Sequence, residues 1–297
     1  MTALLTKNKR KLIVVCIICA ALYFAWGELT KVRGAQSVGF APAVVECGSF
    51  EKARYCIYTA EGGTNGDILY HLHGRNLDET VWNDDTYYTG MVQEEWQRSG
   101  EPAPMVVSVS YGGTWLLTPA GVREDSGLLE DFFKLVETVE RRSGKPDRRL
   151  LLGESMGGLN VLVAGFSRPD SFAKVASLCP GVYVNSPFDP LEEQVAGLRR
   201  TGADPKTVFG VAMLARKYVA DDREWARVSP LRLIEQVEPA QLELYLSNGL
   251  YDKFGNFEGS ERLAEVARAR GIKTEWHPLY GGHYSIDVRS LSAFLAT

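Results

Sequence analysis

The feature that most constrains the fold is an apolar run that leads directly into a serine between two glycines. Residues 150–152 are all leucine, and the sequence Gly-Glu-Ser-Met-Gly follows at residues 153–157. The next stretch, Leu159 to Phe166, is compatible with a helix. We therefore expect a buried strand, a tight turn and a helix, with Ser155 in a strained backbone conformation. In so tight a turn, a Cβ atom at either glycine would collide with neighbouring backbone.

Such a turn gives the serine a chemical role. It lifts the Ser155 hydroxyl clear of the sheet, and it leaves the backbone N–H of Met156 free to meet an anionic oxygen. The sequence thus predicts a nucleophile and half of an oxyanion hole at one place. The alternative is a glycine-rich loop with a chance serine, because short patterns of this kind also recur without function.

Length and charge limit the class of protein. The 297 residues, of which 45% are hydrophobic, are enough for one large α/β domain with appendages. The net charge is −4, so nucleic acid is not expected as a partner.

Residues 1–27 form a separate segment. Four basic residues lie between Lys7 and Lys11, and Leu12 to Trp26 is an uninterrupted apolar run. This pattern is typical of an export signal or of a membrane anchor, and both place the later residues across the membrane. Small residues near Gly27 favour cleavage, whereas the aromatic residues of the run favour an anchor that attaches the protein to the membrane. Both alternatives stay open, and residues 28–43 are predicted to be a tether.

Two cysteines are expected on adjacent strands of a hairpin. Val44 to Cys47 and Ala53 to Tyr58 flank a turn, which places Cys47 and Cys56 on neighbouring strands. In an oxidising compartment we expect them to form a disulfide rather than remain two buried thiols. Cys179 is then expected to be an unpaired thiol in the core.

The rest of residues 44–297 alternates strands and helices, which indicates an α/β domain with a mostly parallel sheet flanked by helices. Asp125 or Ser126 is expected to cap the helix that precedes the serine motif. Residues 184–240 contain helical pieces and several prolines but no strand-like run. Their number suits a helical cap inserted over an active site.

The strand at residues 67–73 ends in the sequence His-Gly-Arg. A loop that leaves a strand beside the serine strand can supply the second oxyanion donor. We assign that donor to the N–H of Arg75, and Gly74 is the next candidate.

His71 and His73 also suggest a metal site, because residues two apart in a strand point to one face. The sequence holds only two other histidines, His277 and His283, so no further ligands are evident. A metal-dependent hydrolase is therefore the weaker alternative, and we expect no metal and no cofactor.

A substrate pocket is expected where the strand at residues 105–110 ends. Tyr111 and Trp115 follow that strand among glycines, and pockets of open α/β sheets form at such ends. Both residues are therefore candidates for binding substrate. For Trp115 the alternative is simple packing beneath a loop.

These features resemble the α/β-hydrolase superfamily, with its chain order of nucleophile, acid and histidine. The resemblance rests on the serine motif, the His73-Gly74 loop, Asp252 after a late strand, and Gly282-His283 after the last strand. Residues 126–179 are most similar to the esterase branch that includes esterase D, feruloyl esterases and mycolyltransferases.

The resemblance implies roles for the individual residues. Ser155 becomes the nucleophile, His283 the general base and acid, and Asp252 the carboxylate that orients the histidine. Met156 and Arg75 become the oxyanion donors. The implied activity is cleavage of small carboxylic esters through an acyl-enzyme. Acyl transfer to an alcohol and a non-catalytic binding protein of the same fold are the alternatives.

The acid is the least constrained assignment. Glu258 and Asp287 are rivals of Asp252, although Glu258 is expected to start a helix and Asp287 to cap the final one. The tight turn should direct Glu154 away from the histidine.

Overall fold

The computed structural model describes residues 14–23, 39–123 and 126–296. The chain divides into Met1–Ser37 and Val38–Thr297. In the first unit, residues 14–23 are helical and exposed. Among the residues that the structure describes, no helix combines the length and apolar character needed to cross a membrane. The basic flank, the cleavage region near Gly27 and residues 28–38 of the predicted tether lie outside the described residues.

The second unit is built on an eight-stranded sheet with the order β1-β2-β4-β3-β5-β6-β7-β8. The first two strands form the predicted hairpin, and β2 also pairs antiparallel with β4. All other neighbouring strands are parallel, as the alternation of strands and helices predicts. The strands are β1 Val44–Phe50, β2 Ala53–Thr59, β3 Ile68–Leu72, β4 Met105–Ser110, β5 Arg149–Glu154, β6 Lys174–Leu178, β7 Glu243–Gly249 and β8 Thr274–Leu279.

Helices cover both faces of this sheet because successive residues of its buried strands point to opposite sides. In β5, Leu151 packs into one apolar cluster, whereas Leu150 and Leu152 pack into the other. The helices are α1 Tyr88–Ser99, α2 Leu128–Ser143, α3 Met156–Ser167, α4 Leu191–Thr201, α5 Pro205–Tyr218, α6 Asp222–Ala226, α7 Pro230–Leu233, α8 Asn256–Ala269 and α9 Val288–Ala296. Helices α1 and α9 lie on one face, and α2, α3 and α8 lie on the other.

The region between β6 and β7 contains helices α4 to α7 and no strand. This agrees with the absence of strand-like runs in residues 184–240. We refer to helices α4 and α5, with the loop before them, as the cap segment (residues 183–218).

The start of α2 differs from the prediction. Its N-cap is Gly127, in the left-handed region with φ of 98°, and among the residues that the structure describes no side chain caps the helix. Glycine suits this position because it adopts a positive φ without a steric penalty. The Ser126 hydroxyl instead accepts the N–H of Gly121, while Asp125 lies outside the described residues.

The predicted disulfide is present. Cys47 and Cys56 face each other in the β1–β2 hairpin and are bonded. This bond is consistent with an extracellular or periplasmic protein. Cys179 is a buried free thiol, as predicted, and its Sγ accepts the N–H of Tyr284 at 3.2 Å.

Candidate active site

Ser155 lies in the tight turn between β5 and α3. Its φ of 54° and ψ of −112° are unusual for a residue with a side chain, which is the strain that the sequence predicts. A Cβ atom at Gly153 would come within 2.5 Å of the Gly157 backbone, and one at Gly157 would overlap the carbonyl oxygen of Leu72. Both glycines are therefore required for the turn to close.

The structure brings Ser155, His283 and Asp252 together at the carboxyl ends of three parallel strands. The Ser155 Oγ lies 2.8 Å from Nε2 of His283, and Nδ1 of His283 lies 2.8 Å from Oδ2 of Asp252. Because a carboxylate can only accept, Nδ1 donates to Asp252 and Nε2 is left to accept the serine proton. The three side chains thus form one continuous hydrogen-bond path.

Asp252 is held by a second contact, since its Oδ1 accepts the N–H of Phe254 at 2.9 Å. The rival carboxylates lie elsewhere. Glu258 is in the first turn of α8 and pairs with Arg200 at 2.8 Å. Asp287 accepts the N–H of Ser290 at the start of α9, the capping role expected from the sequence.

Glu154 points away from His283 and into the protein, where its side chain is fully buried. Oε1 accepts the N–H of Gly74 at 2.6 Å and the hydroxyl of Tyr87 at 3.3 Å. Oε2 accepts the hydroxyl of Tyr88 at 2.7 Å and lies 3.0 Å from Nε2 of His71. Four donors from three elements therefore compensate for the burial of one carboxylate.

This arrangement corrects the assignment of Gly74 as an oxyanion donor. The Gly74 N–H is already donated to Glu154, so it is not available to a substrate. The two other candidates, Arg75 and Met156, line the same cleft as Ser155 and His283. The N–H of Met156 is the first of α3, where helical N–H groups have no acceptor within the helix.

The histidine pair belongs to the same buried network. His71 uses both ring nitrogens, since Nδ1 lies 3.0 Å from Ser108 Oγ and Nε2 contacts Glu154. His73 donates Nδ1–H to the Gly74 carbonyl at 2.7 Å, and its Nε2 has no hydrogen-bond partner in the described part of the chain. Burial lowers the pKa of His73. Within residues 14–23, 39–123 and 126–296, no group of three potential metal ligands is found.

The two predicted pocket aromatics lie in different places. Trp115 lines the Ser155 cleft, as expected. Tyr111 does not, because it lines a separate small cavity behind Met156. Its hydroxyl is buried there with no hydrogen-bond partner among the described residues, and burial raises the pKa of Tyr111.

Sequence reasoning missed four further aromatic residues of the cleft, Tyr183, Tyr251, Phe254 and Tyr284. The Tyr284 hydroxyl lies against Gly74, where an added Cβ would approach it to 2.7 Å. Burial raises the pKa of Tyr284, and a hydrogen bond with Ser155 opposes the rise. Tyr251, Phe254 and Tyr284 stand within two residues of Asp252 or His283, a signal that would have found them, whereas Tyr183 carries no such signal.

The sequence matches a known protein family. A family model described as "Putative esterase" matches residues 54–290. The chain belongs to this esterase family. Membership supports ester hydrolysis as its activity. No curated protein matches the sequence significantly.

Solved structures with the same fold are esterases and hydrolases of low sequence identity. A ferulic acid esterase is 16% identical with a TM-score of 0.57, over 84% of this chain and 93% of that one. The S-formylglutathione hydrolase of Agrobacterium tumefaciens is 16% identical with a TM-score of 0.57, over 88% and 95%. Brefeldin A esterase, a bacterial homologue of human hormone-sensitive lipase, is 15% identical with a TM-score of 0.62, over 96% and 85%. These neighbours establish the α/β-hydrolase fold.

Proposed function

We propose that the protein is a serine hydrolase that cleaves small carboxylic esters through an acyl-enzyme intermediate. The observation that carries the proposal is the hydrogen-bond path from Ser155 through His283 to Asp252, with 2.8 Å at each step. Membership of the esterase family supports the substrate class.

In the proposed mechanism, the Ser155 Oγ attacks the acyl carbon while His283 Nε2 takes its proton. The oxygen that becomes negative is stabilised by the backbone N–H groups of Met156 and Arg75. His283 then gives the proton to the departing alcohol, which leaves the acyl group on Ser155. A water molecule then attacks the acyl carbon while His283 Nε2 takes its proton. His283 gives that proton back to the Ser155 Oγ as the acid departs. Every step uses side chains, backbone and water, so the proposal includes no cofactor.

Asp252 has a supporting role in this scheme. It fixes the tautomer of His283, so that Nε2 faces the serine, and stabilises the positive charge that the ring gains. Its own burial, at 5% exposure, strengthens this interaction because little water screens it.

We further propose that the esterase domain lies on the outer side of the cytoplasmic membrane. It would be either an exported protein that is cleaved near Gly27 or a protein anchored by residues 1–27. The Cys47–Cys56 disulfide supports this location. Edman sequencing of the mature protein would separate the two, since a cleaved protein begins after the apolar run.

The test of the chemistry is labelling with a fluorophosphonate, which reacts with activated serines. We expect one labelled peptide, carrying Ser155, and loss of activity on p-nitrophenyl esters in proportion to labelling. Addition of short alcohols during turnover measures acyl transfer, since transfer yields a new ester in place of the acid. A protein that neither reacts with the probe nor cleaves esters would contradict the proposed function.

A further inference from the structure

A second cavity lies directly beside the Ser155 cleft. Four side chains line both spaces, namely Trp115, Tyr183, Val211 and Phe254. Most of the remaining wall comes from the cap segment, including Leu198 of α4 and Ala212 of α5. We call this space the cap pocket. Because the cleft and the cap pocket share these side chains, the cap pocket lies next to the position that a substrate at Ser155 would occupy.

The shared side chains adjoin the reacting atoms. The Phe254 ring packs against the His283 ring with centroids 4.5 Å apart. On the other side, the backbone N–H of Trp115 donates to the Tyr218 hydroxyl at 2.9 Å, and the Trp115 ring packs against the Tyr218 ring. Two aromatic side chains held by such contacts are preorganised, which lowers the entropic cost of binding a group against them.

The walls of the cap pocket are apolar in effect, although several polar residues contribute to them. Gln194 Nε2 donates to the Asp189 carbonyl at 2.8 Å, and Asn185 Nδ2 donates to the Asp189 carboxylate at 3.0 Å. Glu258, the charged residue of the wall, is paired with Arg200 at 2.8 Å. Since these polar groups are already bound within the protein, an entering group would gain few hydrogen bonds from them.

The rest of the wall offers carbon surface. Small and aliphatic side chains leave the space open, and Trp225 closes it as a buried aromatic wall. Pockets that are lined in this way bind hydrocarbon groups, because burial of apolar surface is then the main favourable contribution.

We propose that the cap pocket receives an apolar group of the ester, so that the preferred substrates carry a hydrocarbon chain longer than acetyl or methyl. This inference rests on the proposed serine-hydrolase function. The chain enters past Trp115 and Phe254 and is held by the cap segment, while the ester carbonyl stays at Ser155. The cap segment therefore sets the length preference.

Two substrate series test the proposal and identify which side of the ester enters. The first varies the acid, from p-nitrophenyl acetate through butyrate and hexanoate to octanoate. The second varies the alcohol, from methyl acetate to hexyl acetate. In the series whose chain enters, we expect kcat/KM to rise roughly fourfold for each methylene until the pocket is full.

Variants of α5 test whether the rise in kcat/KM with chain length depends on the cap pocket. Ala212→Phe fills the space, and it should lower the ratio of kcat/KM for octanoate to that for acetate by more than about tenfold. Met213→Phe is the matched control, because Met213 neighbours Ala212 on α5 but is 62% exposed to solvent. This control should keep the wild-type ratio. Val208→Ala enlarges the same space and should shift the chain length with the highest kcat/KM to a longer chain. This variant tests the role of the cap pocket if Ala212→Phe does not fold.

The outcomes separate this inference from the proposed function. A rise in either series that Ala212→Phe abolishes, or that Val208→Ala shifts, supports the cap pocket. Acetate turnover with a flat profile in both series, or a profile that folded variants leave unchanged, overturns the cap pocket while the serine hydrolase stands. A protein that cleaves no ester and resists the fluorophosphonate overturns both.

Discussion

The Ser155 hydroxyl is the atom on which the proposed chemistry depends, and its surroundings allow its removal without loss of the fold. Ser155→Ala keeps the backbone and removes a half-buried hydroxyl, so the free energy of unfolding should change by less than about 1 kcal/mol. Loss of the nucleophile should lower kcat by about a millionfold. Ester turnover and thermal unfolding of the purified variant check both effects. A variant with near wild-type turnover would exclude Ser155 as the nucleophile.

Asp252 acts through His283, so its replacement tests orientation rather than nucleophilicity. Asp252→Asn keeps the shape, and its oxygen can still accept the Phe254 N–H. The amide cannot accept the Nδ1 proton as a carboxylate does, and we expect kcat to fall by up to about ten thousandfold. Asp287→Asn is one control, and Glu258→Gln, assayed on an acetate ester whose acyl group is too short for the cap pocket, is the other; both should stay within about threefold of wild type. A loss below about tenfold for Asp252→Asn, with one control far worse, would move the acid to that residue.

At the scale of elements, Glu154 joins β5 to α1 and to the loop after β3. Its contacts with Gly74 and Tyr88 fix the peptide that precedes the N–H of Arg75. Glu154 is thus a positioning residue for the proposed oxyanion hole. Its effect on chemistry passes through the backbone of the loop, because its side chain does not reach His283.

Glu154→Gln tests this connection. The glutamine amide has the same volume as the carboxylate, but its NH₂ group replaces one carboxylate oxygen. That NH₂ group would face hydrogen-bond donors that the carboxylate oxygen accepts in the wild type. We expect a loss of about 1–3 kcal/mol in the free energy of unfolding. We also expect kcat to fall by about tenfold to a hundredfold, with KM little changed, because one oxyanion donor shifts. Tyr87→Phe, which removes the longest of the four contacts at 3.3 Å, should have a much smaller effect on kcat. Equal kcat for wild type and Glu154→Gln would leave Glu154 a purely structural role.

The β1–β2 hairpin at the edge of the sheet depends on its disulfide. Closing the loop between Cys47 and Cys56, nine residues apart, stabilises the folded state by about 2–3 kcal/mol in the chain-entropy treatment. Replacing both cysteines by alanine should therefore lower Tm while kcat stays near wild type, since three strands separate β1 from β5. Mass spectrometry of unreduced peptides from exported protein checks the bond. Two free thiols in that sample would contradict it.

The pattern of elements could be read from the sequence because strands such as residues 150–154 carry their own signal. Buried parallel strands are apolar runs, and the steric need for Gly153 and Gly157 is local to the turn. The two wrong assignments, Gly74 and Tyr111, depend on contacts with residues that are distant in the sequence. The N–H of Gly74 is donated to a carboxylate 80 residues away, and Tyr111 lines a cavity together with residues of β3, β4 and α3. Neither outcome leaves a trace in the neighbouring residues.

At the scale of the whole molecule, the parallel sheet determines where the candidate active site lies. The predicted nucleophile, acid and histidine follow β5, β7 and β8, and parallel strands bring their carboxyl ends to one edge. The spacing between them in the chain is therefore free to vary. This freedom allows the cap segment to lie between β6 and β7 without displacing the three residues.

The buried network below this edge makes stability depend on pH. Burial is the main cause that lowers the pKa of His73 from its ordinary value of 6.5, and His71 adds to the effect, while Glu154, Asp78 and the Gly74 carbonyl oppose it. The unfolded chain thus binds the proton of His73 at a higher pH than the folded chain does. The free energy of unfolding should fall as pH drops below about 6.5, and His73 should contribute no pH dependence above that value.

Thermal unfolding between about pH 8 and pH 5.5 tests this prediction in a window above the titration of ordinary carboxylates. Wild-type Tm should decrease toward the acidic end. His73→Asn can keep a donor to the Gly74 carbonyl but does not titrate, so its Tm should decrease less over the same range. His277→Asn is the matched control, because His277 is a partly exposed histidine of β8, paired with Glu275. This variant measures what the loss of a histidine outside the Glu154 network does to Tm. Parallel Tm curves for wild type and His73→Asn would show that the proton is taken up elsewhere.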